Sequence, residues 1–529
     1  MNLIGLIVIV VLFQFYTKIV CEPQPYALIE EPRVGTWGFD GTVQFCLVKP
    51  TARMENKFFE FLREGFLNGP LKGWLLPPTK LNFNLIKSKY LGVFGVLLVL
   101  RTQSDDFDED LLDELDYYLS SNDMEDQLIR CLGKKEDSDI KKFGPFYGDR
   151  DARWYDVPPM ADSSSAAITE QESPLSKNKI EITKYAVPEL ALLSAPKQLK
   201  FFKGTAKTTY YNWQDAGKGC TVYLVDTGCD LNHHEFENVT YKDWIETTAY
   251  PREIGSDALE QNNHGSFMAA KMFGKRTGVA RSIDLIVAPA IDRDGELTFY
   301  TILDALLKVY DHIKTNNSKR PCIINFSLAS GSIYYDVVEN IWRELMLEFR
   351  ALGNVIISTV AGNGHPTEPI VEYPAVLGLE KEFSNLVVSG GADPATYTNL
   401  LQFDPNIVNF VFAPSKVYSI AWKNPFLPIS EVALRDAYSY RSDGGTSIAT
   451  ATTTGILAGY ISRNLKSKTV VNDTIKSIKR KSFKRNSDPI SVPIISNGIT
   501  IDQWPKADQK AVGYNIGKKC LNKIGCAIS

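Results

Sequence analysis

The sequence predicts an α/β fold in which a parallel β-sheet carries helices on both faces, preceded by a small α+β unit. The first observation is a series of short apolar runs separated by helical patterns. These runs cover residues 221–225, 282–288, 323–326, 355–358 and 386–389. Strands of a parallel sheet are buried on both faces, so they are apolar almost throughout. The second observation is that residues 41–135 hold two strand-like runs and two amphipathic helical patterns of their own.

Composition and charge limit the possible partners. Of the 529 residues, 44% are hydrophobic and 23% are charged, which is typical of a globular protein with a sizeable core. The formal net charge of -4 offers no general attraction for nucleic acid or for an anionic membrane. We therefore predict no nucleic-acid partner.

The N-terminus has the features of a secretory signal. Residues 3–16 form an almost unbroken apolar run, which is short for a membrane span and has the length of a signal peptide. We predict a cleaved signal peptide over residues 1–21, with a short membrane anchor as the alternative, and no stable membrane insertion. Eight cysteines and three Asn-x-Ser/Thr acceptors fit the secretory pathway. The extracellular space, a cell wall and a vacuole stay open as final compartments.

A carboxylate follows the first apolar strand of the predicted sheet. Asp226 ends that strand and is followed by Thr227 and Gly228. Open α/β sheets place functional residues at the carboxyl ends of their strands. Burying a carboxylate there is costly unless it is hydrogen-bonded, so we expect a partner for Asp226. Aspartic proteases use Asp-Thr-Gly in two copies, and the single copy here leaves only a dimeric enzyme of that class as an alternative.

A histidine and a serine complete a candidate catalytic set. His264, one of five histidines, directly precedes the helical pattern of residues 267–273. Ser447 follows Gly-Gly-Thr and opens a long segment with little charge, so it lies at a predicted helix N-terminus, where exposed N–H groups favour negative charge. All five histidines precede Ser447, which excludes the Ser–Asp–His order of α/β-hydrolases for this serine. The order Asp226, His264, Ser447 is that of the subtilisin triad.

Five sequence blocks resemble, in the same order, the signature blocks of the subtilisin family of serine proteases. They cover residues 220–236, 264–266, 327–329, 361–364 and 445–450. The resemblance extends over about residues 186–463, and residues 210–219 are similar to the fungal proteinase K and cerevisin branch. It implies a serine endopeptidase with a subtilisin-like parallel sheet.

The resemblance implies a role for each site residue. Ser447 would be the nucleophile, His264 the general base and Asp226 the carboxylate that orients the imidazole. Asn363 would donate its side-chain amide to the oxyanion. A protein or peptide substrate would pair with the enzyme as an added strand. The residues expected to bind that strand are Ser327, Leu328, Ala329 and Gly362.

The resemblance also divides the chain beyond the signal peptide. Residues 41–135 would be an inhibitor-like prosegment that acts on its own enzyme, and 136–185 a linker with the maturation cleavage. The catalytic domain would cover 186–463, and a C-terminal extension 464–529. The linker prediction rests on the Pro, Ser and acidic residues of 150–178, a composition that buries little apolar surface.

Two expectations concern cofactors and crosslinks. Asn409 lies just before a Phe-Val-Phe-Ala-Pro stretch where the proteinase K branch often has a calcium-binding aspartate. The sequence therefore gives no support for that calcium site, and we predict no cofactor and no metal. By the same resemblance, Cys220 and Cys322 are expected to form a disulfide, with two buried reduced thiols as the alternative.

The motif edges depart from the family pattern and leave a rival interpretation. Ser266 replaces the usual threonine after His-Gly, and Ala329 replaces the first glycine after Ser-Leu. None of these changes removes a reacting group, so we predict an active enzyme. The alternative is a catalytically silent subtilisin-like protein with a structural or binding role in a cell or spore wall.

Overall fold

The fold is given by a computed structural model. It describes the strands at residues 41–48, 84–87, 94–101, 128–132 and 168–171, and residues 179–184, 186–197, 209–236, 242–247, 255, 257, 263–291, 297, 299–329, 336–420 and 440–512. The predicted signal peptide and the two helices predicted within 41–135 lie outside the described residues.

Four strands near the N-terminus form an antiparallel sheet. β1 (Gly41–Val48) lies between β3 (Phe94–Arg101) and β4 (Leu128–Leu132), and β2 (Asn84–Lys87) borders β3 on its other side. β1 and β3 pair over eight residues each. The sequence predicted only two of these strands, β1 and β3, because the other two are short and less apolar.

A second antiparallel sheet joins the predicted linker to the core. β6 (Ile180–Lys184) lies between β5 (Ile168–Gln171) and β7 (Thr209–Trp213). In β6, Ile180 and Ile182 are buried. The linker predicted for residues 136–185 therefore includes two strands, and β6 is packed into the protein.

A nine-stranded sheet forms the centre of the molecule. Its strands are β8 (Thr221–Asp226), β9 (Lys242–Trp244), β10 (Asp284–Pro289), β11 (Cys322–Phe326), β12 (Val355–Val360), β13 (Leu386–Ala392), β14 (Phe410–Pro414), β17 (Phe483–Lys484) and β18 (Pro493–Ile494). Their order across the sheet is β17-β18-β14-β13-β12-β11-β8-β10-β9. All neighbouring pairs are parallel except β17 and β18. The remaining strands, β15 (Lys416–Ile420) and β16 (Tyr440–Gly444), form a separate antiparallel pair.

Helices cover both faces of the central sheet. They are α1 (Pro188–Ser194), α2 (His264–Phe273), α3 (Phe299–Asn316), α4 (Asp336–Ala351), α5 (Thr446–Asn464), α6 (Val470–Lys481) and α7 (Lys506–Ala511). Alternate side chains of β8 enter opposite cores: Val222 and Leu224 pack on the side of α2 and α5, Tyr223 and Val225 on the other side. Burial on both faces explains why the strands are almost wholly apolar. The predicted α/β fold with a parallel sheet is confirmed.

The N-terminal antiparallel sheet contacts the outer surface of the central unit. β2 lies against α3, and β4 lies against α4. Both helices belong to the layer that packs on the side of Tyr223 and Val225. This contact gives the small N-terminal unit a defined place on the larger one.

The cysteine prediction is wrong in the structure. Cys220 and Cys322 are both buried free thiols. In the register of β8 and β11, Cys322 lies opposite Thr221, one residue beyond Cys220. Side chains one residue apart along a strand point to opposite faces. Accordingly, Cys220 packs in the core on the side of α2 and Cys322 in the core on the opposite side, so the sheet separates the two sulfur atoms.

Candidate active site

Asp226 and His264 form a hydrogen-bonded pair at the carboxyl end of β8. Asp226 is fully buried, and its Oδ1 accepts hydrogen bonds from His264 Nδ1 at 2.7 Å and from the N–H of Thr227 at 2.8 Å. His264 is the first residue of α2 and follows Asn263, whose φ of 52° is left-handed. An ionised carboxylate can only accept, so Nδ1 carries the proton and Nε2 is left as the basic nitrogen.

Three carboxylates act on the imidazole of His264. Burial by itself lowers the pKa of His264, but the charge and hydrogen bond of Asp226 raise it, and the charges of Asp257 and Asp443 raise it further. The net result is a pKa above the ordinary value of 6.5. The site therefore stabilises the imidazolium ion that forms when His264 accepts a proton.

Asp257 is a second carboxylate beside this pair. Its Oδ1 accepts a hydrogen bond from Thr227 Oγ1 at 2.6 Å, and its Oδ2 accepts from the N–H of Ser266 at 2.7 Å and from Ser266 Oγ at 2.5 Å. Thr227 Oγ1 in turn accepts from the N–H of Gly265 at 2.9 Å. Thr227 follows Asp226 and Ser266 lies two residues after His264. Asp257 therefore holds together the two segments that carry the pair.

Ser447 is the second residue of α5. Gly445, with a φ of 134°, leads the chain into this helix in a backbone conformation that favours glycine. Ser447 is 8% exposed, and its Oγ donates a hydrogen bond to the carbonyl of Ser327 at 2.8 Å. Within the described part of the chain, no hydrogen bond joins Ser447 to His264. The side chain thus lies at the edge of the sheet where His264 lies, in a rotamer turned toward Ser327.

Asn363 is held by the residue before the serine. Its Oδ1 accepts hydrogen bonds from the N–H of Thr446 at 2.8 Å and from Thr446 Oγ1 at 3.0 Å. Thr446 Oγ1 also lies 3.2 Å from the carbonyl of Gly362. The amide oxygen is thus bound to Thr446, while Nδ2 lies 3.3 Å from where a Cβ on Gly445 would be, beside the start of α5, and stays available as a donor.

The family of this chain follows from a comparison with protein-family models. Residues 217–493, more than half of the chain, match the model of the subtilase family. This chain is a subtilase.

Several curated relatives of this subtilase are fungal, in line with the branch that its sequence resembles. It is 32% identical over 148 residues to "Subtilisin-like protease 2" of Trichophyton tonsurans, covering 27% of this chain and 33% of the relative. It is 32% identical over 154 residues to "Subtilisin-like protease 1" of Arthroderma otae, covering 29% of each. The subtilase thus matches about a third of the length of these relatives.

One solved structure similar to this subtilase is described as a cold adapted subtilisin-like serine proteinase. The match covers 61% of this chain and 99% of that chain, with a TM-score of 0.44 and 20% sequence identity.

The residues expected to bind substrate border the same site. Ser327, Leu328 and Ala329 directly follow β11, and Gly362 follows the end of β12. Because β11 and β12 are parallel neighbours, both segments leave the sheet at the same edge. Ser327 contacts Ser447, and Gly362 precedes Asn363, so the two segments flank the candidate nucleophile and the candidate oxyanion donor.

Three further residues in this subtilase site were not predicted from the sequence. Asp257 lies in a stretch without a recognisable motif. Gln402 is nearly 40 residues from Asn363 in the chain, yet its Oε1 accepts a hydrogen bond from the N–H of Gly364 at 3.0 Å. Glu372 is buried behind Gly362. A sequence signal was present only for Glu372, as a carboxylate inside an otherwise apolar stretch.

Among the described residues, no group of three or more His, Cys, Asp or Glu side chains is arranged to hold a metal ion. No helix within the described ranges is long and apolar enough to cross a membrane.

Proposed function

We propose that this subtilase is a serine endopeptidase that hydrolyses peptide bonds with Asp226, His264 and Ser447. The observation that carries the proposal is the 2.7 Å hydrogen bond between Asp226 and His264. It orients the imidazole, fixes its tautomer and raises its pKa, which are the properties required of a general base. The names of its fungal relatives support the same activity.

The proposed reaction begins with a rotation of Ser447. Its Oγ leaves the carbonyl of Ser327 and turns toward Nε2 of His264, a change of rotamer in a side chain with a single heavy-atom torsion. Catalytic hydrogen bonds of free enzymes are often formed only when substrate is bound. Ser447 Oγ then attacks the peptide carbonyl carbon while His264 takes its proton, and His264 gives that proton to the leaving amine as the C–N bond breaks. Water then attacks the acyl-enzyme while His264 takes a proton from it, and that proton returns to Ser447 Oγ as the ester bond breaks.

Asn363 is proposed to stabilise the oxyanion. The contact of its Oδ1 with Thr446 supports this role, because it leaves Nδ2 free as a donor beside the start of the helix that carries Ser447. A pre-oriented donor of this kind contributes about 10²–10³ to kcat, or about 3–4 kcal/mol of the barrier. Thr446 is thereby proposed to position Asn363 through the carboxamide oxygen.

We further propose that the protein enters the secretory pathway as a zymogen. The apolar run of residues 3–16 supports the route, and the contacts of β2 with α3 and of β4 with α4 support an intramolecular inhibitor.

Labelling and hydrolysis together test the proposed activity. A fluorophosphonate probe should label the mature protein, and Ser447→Ala should abolish both labelling and peptide hydrolysis with an unchanged circular dichroism spectrum. Ser462→Ala, on the same helix α5 but near its other end, is the matched control and should retain both. Activity in a folded Ser447→Ala protein would overturn the assignment of the nucleophile.

One observation favours a catalytically silent subtilase as the second candidate. Ser447 Oγ is bonded to Ser327, and Ser327 Oγ returns a hydrogen bond to the carbonyl of Ser447 at 3.0 Å. If this double contact persisted, Oγ would never reach His264. In that case the folded protein would fail to react with the fluorophosphonate and would hydrolyse no peptide.

A further inference from the structure

Glu372 is a buried carboxylate without a cationic partner in the described part of the chain. Its residue is 7% exposed, and its Oε2 accepts a hydrogen bond from the N–H of Val371 at 3.2 Å. The lysine, arginine and histidine side chains of the described residues make no ion pair with it, whereas the buried Glu189 has Lys271 at 2.7 Å. Burial of an unpaired carboxylate is unfavourable, so a site that keeps one is a candidate binding site.

Glu372 lies directly behind the segment expected to bind substrate. A Cβ placed on Gly362 would lie 3.0 Å from Glu372 Oε1 and would also collide with Gln402 Oε1. Gly362 has a φ of 105°, a conformation that strongly favours glycine. Because residue 362 has no side chain, the Glu372 carboxylate can lie close to the backbone beside Asn363.

The loop that carries Glu372 is held in place by Gln402. Gln402 is buried, and it binds the N–H of Gly364 through Oε1 at 3.0 Å and the carbonyl of Pro369 through Nε2 at 2.7 Å. These two bonds fix both ends of the stretch between Asn363 and Glu372. The carboxylate is thus presented by a braced loop.

The surroundings of Glu372 make its ionised carboxylate unfavourable unless a cation is present. Burial raises the pKa of Glu372, and the negative charge of Glu368 raises it further. Glu368 and His365 are exposed on the same loop, and His365 Nδ1 is bonded to Thr367 Oγ1 at 2.8 Å. The groups facing this side of the site are therefore mainly acidic.

Substrate geometry connects Glu372 to one residue of the substrate. The carbonyl under attack must lie between Ser447 and Asn363, so the residue that owns this carbonyl lies between the segments of Ser327–Ala329 and Gly362. A side chain of that residue entering between these segments would come close to Glu372, whose Oε1 lies 3.0 Å from where a Cβ on Gly362 would be. Leu328 and Ala329 are buried and apolar, and they suit the methylene stem of a long side chain.

We propose that Glu372 makes this enzyme select a lysine or arginine residue on the N-terminal side of the scissile bond. This inference rests on the proposed endopeptidase activity and names its substrate class. A substrate cation close to Glu372 would pair with its carboxylate, and a charge-assisted hydrogen bond in a desolvated site is stronger than one in water. A neutral side chain of similar length would leave the carboxylate unpaired.

The test compares peptides that differ only in the residue before the cut. A fluorogenic series carrying Lys, Arg, Met, Gln or Glu there is hydrolysed by the mature enzyme at about pH 8, where free lysine side chains are charged. We expect kcat/KM for Lys and Arg to exceed that for Met by about tenfold to hundredfold. Glu372→Gln should reduce this ratio to nearly one, and Glu372→Lys should favour the Glu peptide.

Two further variants keep the test decisive. Glu382→Gln removes an exposed carboxylate ten residues further along the chain, beside Arg350, and should change the Lys-to-Met ratio by less than about threefold, because water screens its charge. Glu372→Asp keeps the charge and should keep a preference for Lys. If thermal unfolding shows that Glu372→Gln does not fold, the Lys-to-Met ratio of Glu372→Asp is the result that tests the inference.

The possible failures are distinguishable. Equal rates for the Lys and Met peptides, or an unchanged Lys-to-Met ratio in Glu372→Gln, would overturn the inference about Glu372. Peptide hydrolysis and fluorophosphonate labelling by the same protein would still support the proposed activity. A folded protein that neither hydrolyses peptides nor takes up the probe would overturn both proposals.

Discussion

His264 lies in an environment where two opposing effects determine its basicity. Burial disfavours the imidazolium ion, and the nearby carboxylates of Asp226, Asp257 and Asp443 favour it. The carboxylates prevail, so the pKa of His264 is raised. Only Asp226 touches the imidazole, at 2.7 Å, and the other two act through their charge alone. Asp443 makes none of the contacts by which Asp257 holds Thr227 and Ser266, so it can be changed without removing the hydrogen bond that orients the ring.

The pH dependence of activity should report this charge balance. A general base must be neutral, so kcat/KM should rise with pH through the raised pKa of His264. Asp443→Asn removes one negative charge that stabilises the imidazolium, which lowers that pKa and moves the acid limb of the profile down by about 0.3–1 pH unit. The measurement is kcat/KM against pH with a neutral peptide. Asp488→Asn, on the exposed surface, is the control and should leave the limb in place.

The residues of the site differ in how far the sequence could identify them. Asp226, His264, Ser447 and Asn363 lie in local motifs whose order along the chain is itself informative. Glu372 has no such context, because its role depends on Gly362, ten residues earlier, passing close to its carboxylate. The rotamer of Ser447 was equally inaccessible, since it depends on a carbonyl 120 residues away.

At the level of elements, the two helices that carry His264 and Ser447 cross at a glycine. α2 begins with His264 and α5 begins one residue before Ser447. A Cβ on Gly455 in α5 would lie 2.6 Å from Val279 Cβ and 3.2 Å from the carbonyl of Met272. Residue 455 therefore sets the distance between α5 and the chain at the end of α2.

Gly455→Ala should destabilise the protein although alanine favours helix formation. Overpacking at this crossing costs about 1–3 kcal/mol, against a gain of about 0.5–1 kcal/mol from helix propensity. Gly459→Ala in the same helix is the matched control, because its Cβ would meet only Ala216 Cβ at 3.9 Å. It should stabilise the protein by up to about 1 kcal/mol. Urea unfolding of the mature enzyme measures both, and equal effects of the two changes would contradict the packing argument.

The elements themselves were largely predictable, and their ends were not. The apolar run of residues 355–358 correctly predicted β12, which continues to Val360. The helix predicted from residue 267 begins at His264, because Asn263 adopts a left-handed conformation that no local pattern indicated. The wrong disulfide has a similar cause: Cys220 and Cys322 lie at the starts of neighbouring strands, and only the register reveals a shift of one residue.

At the scale of the whole molecule, β6 connects the predicted linker to the body of the enzyme. It pairs with β7 along its length and buries Ile180 and Ile182. Arg281 donates to Glu181 Oε1 and to Thr183 Oγ1. These contacts are made with residues on the enzyme side of the predicted cut. By packing, β6 therefore belongs to the body that carries the candidate site, although the linker predicted from the composition of residues 150–178 was extended over it.

Maturation should therefore cut the chain between β4 and β6, on the N-terminal side of Ile180. A cut after Lys184 would remove β6, expose apolar surface on its neighbours and leave Arg281 without two of its partners, at a cost of about several kcal/mol. N-terminal sequencing of the mature protein should give a start at or before Ile180. If processing is autocatalytic, Ser447→Ala produced in cells without related proteases should keep the N-terminal unit, while Ser462→Ala should lose it. A mature N-terminus beyond Lys184, in a protein that stays folded and active, would contradict the prediction that β6 remains with the enzyme. Normal trimming of Ser447→Ala would assign the cut to another protease.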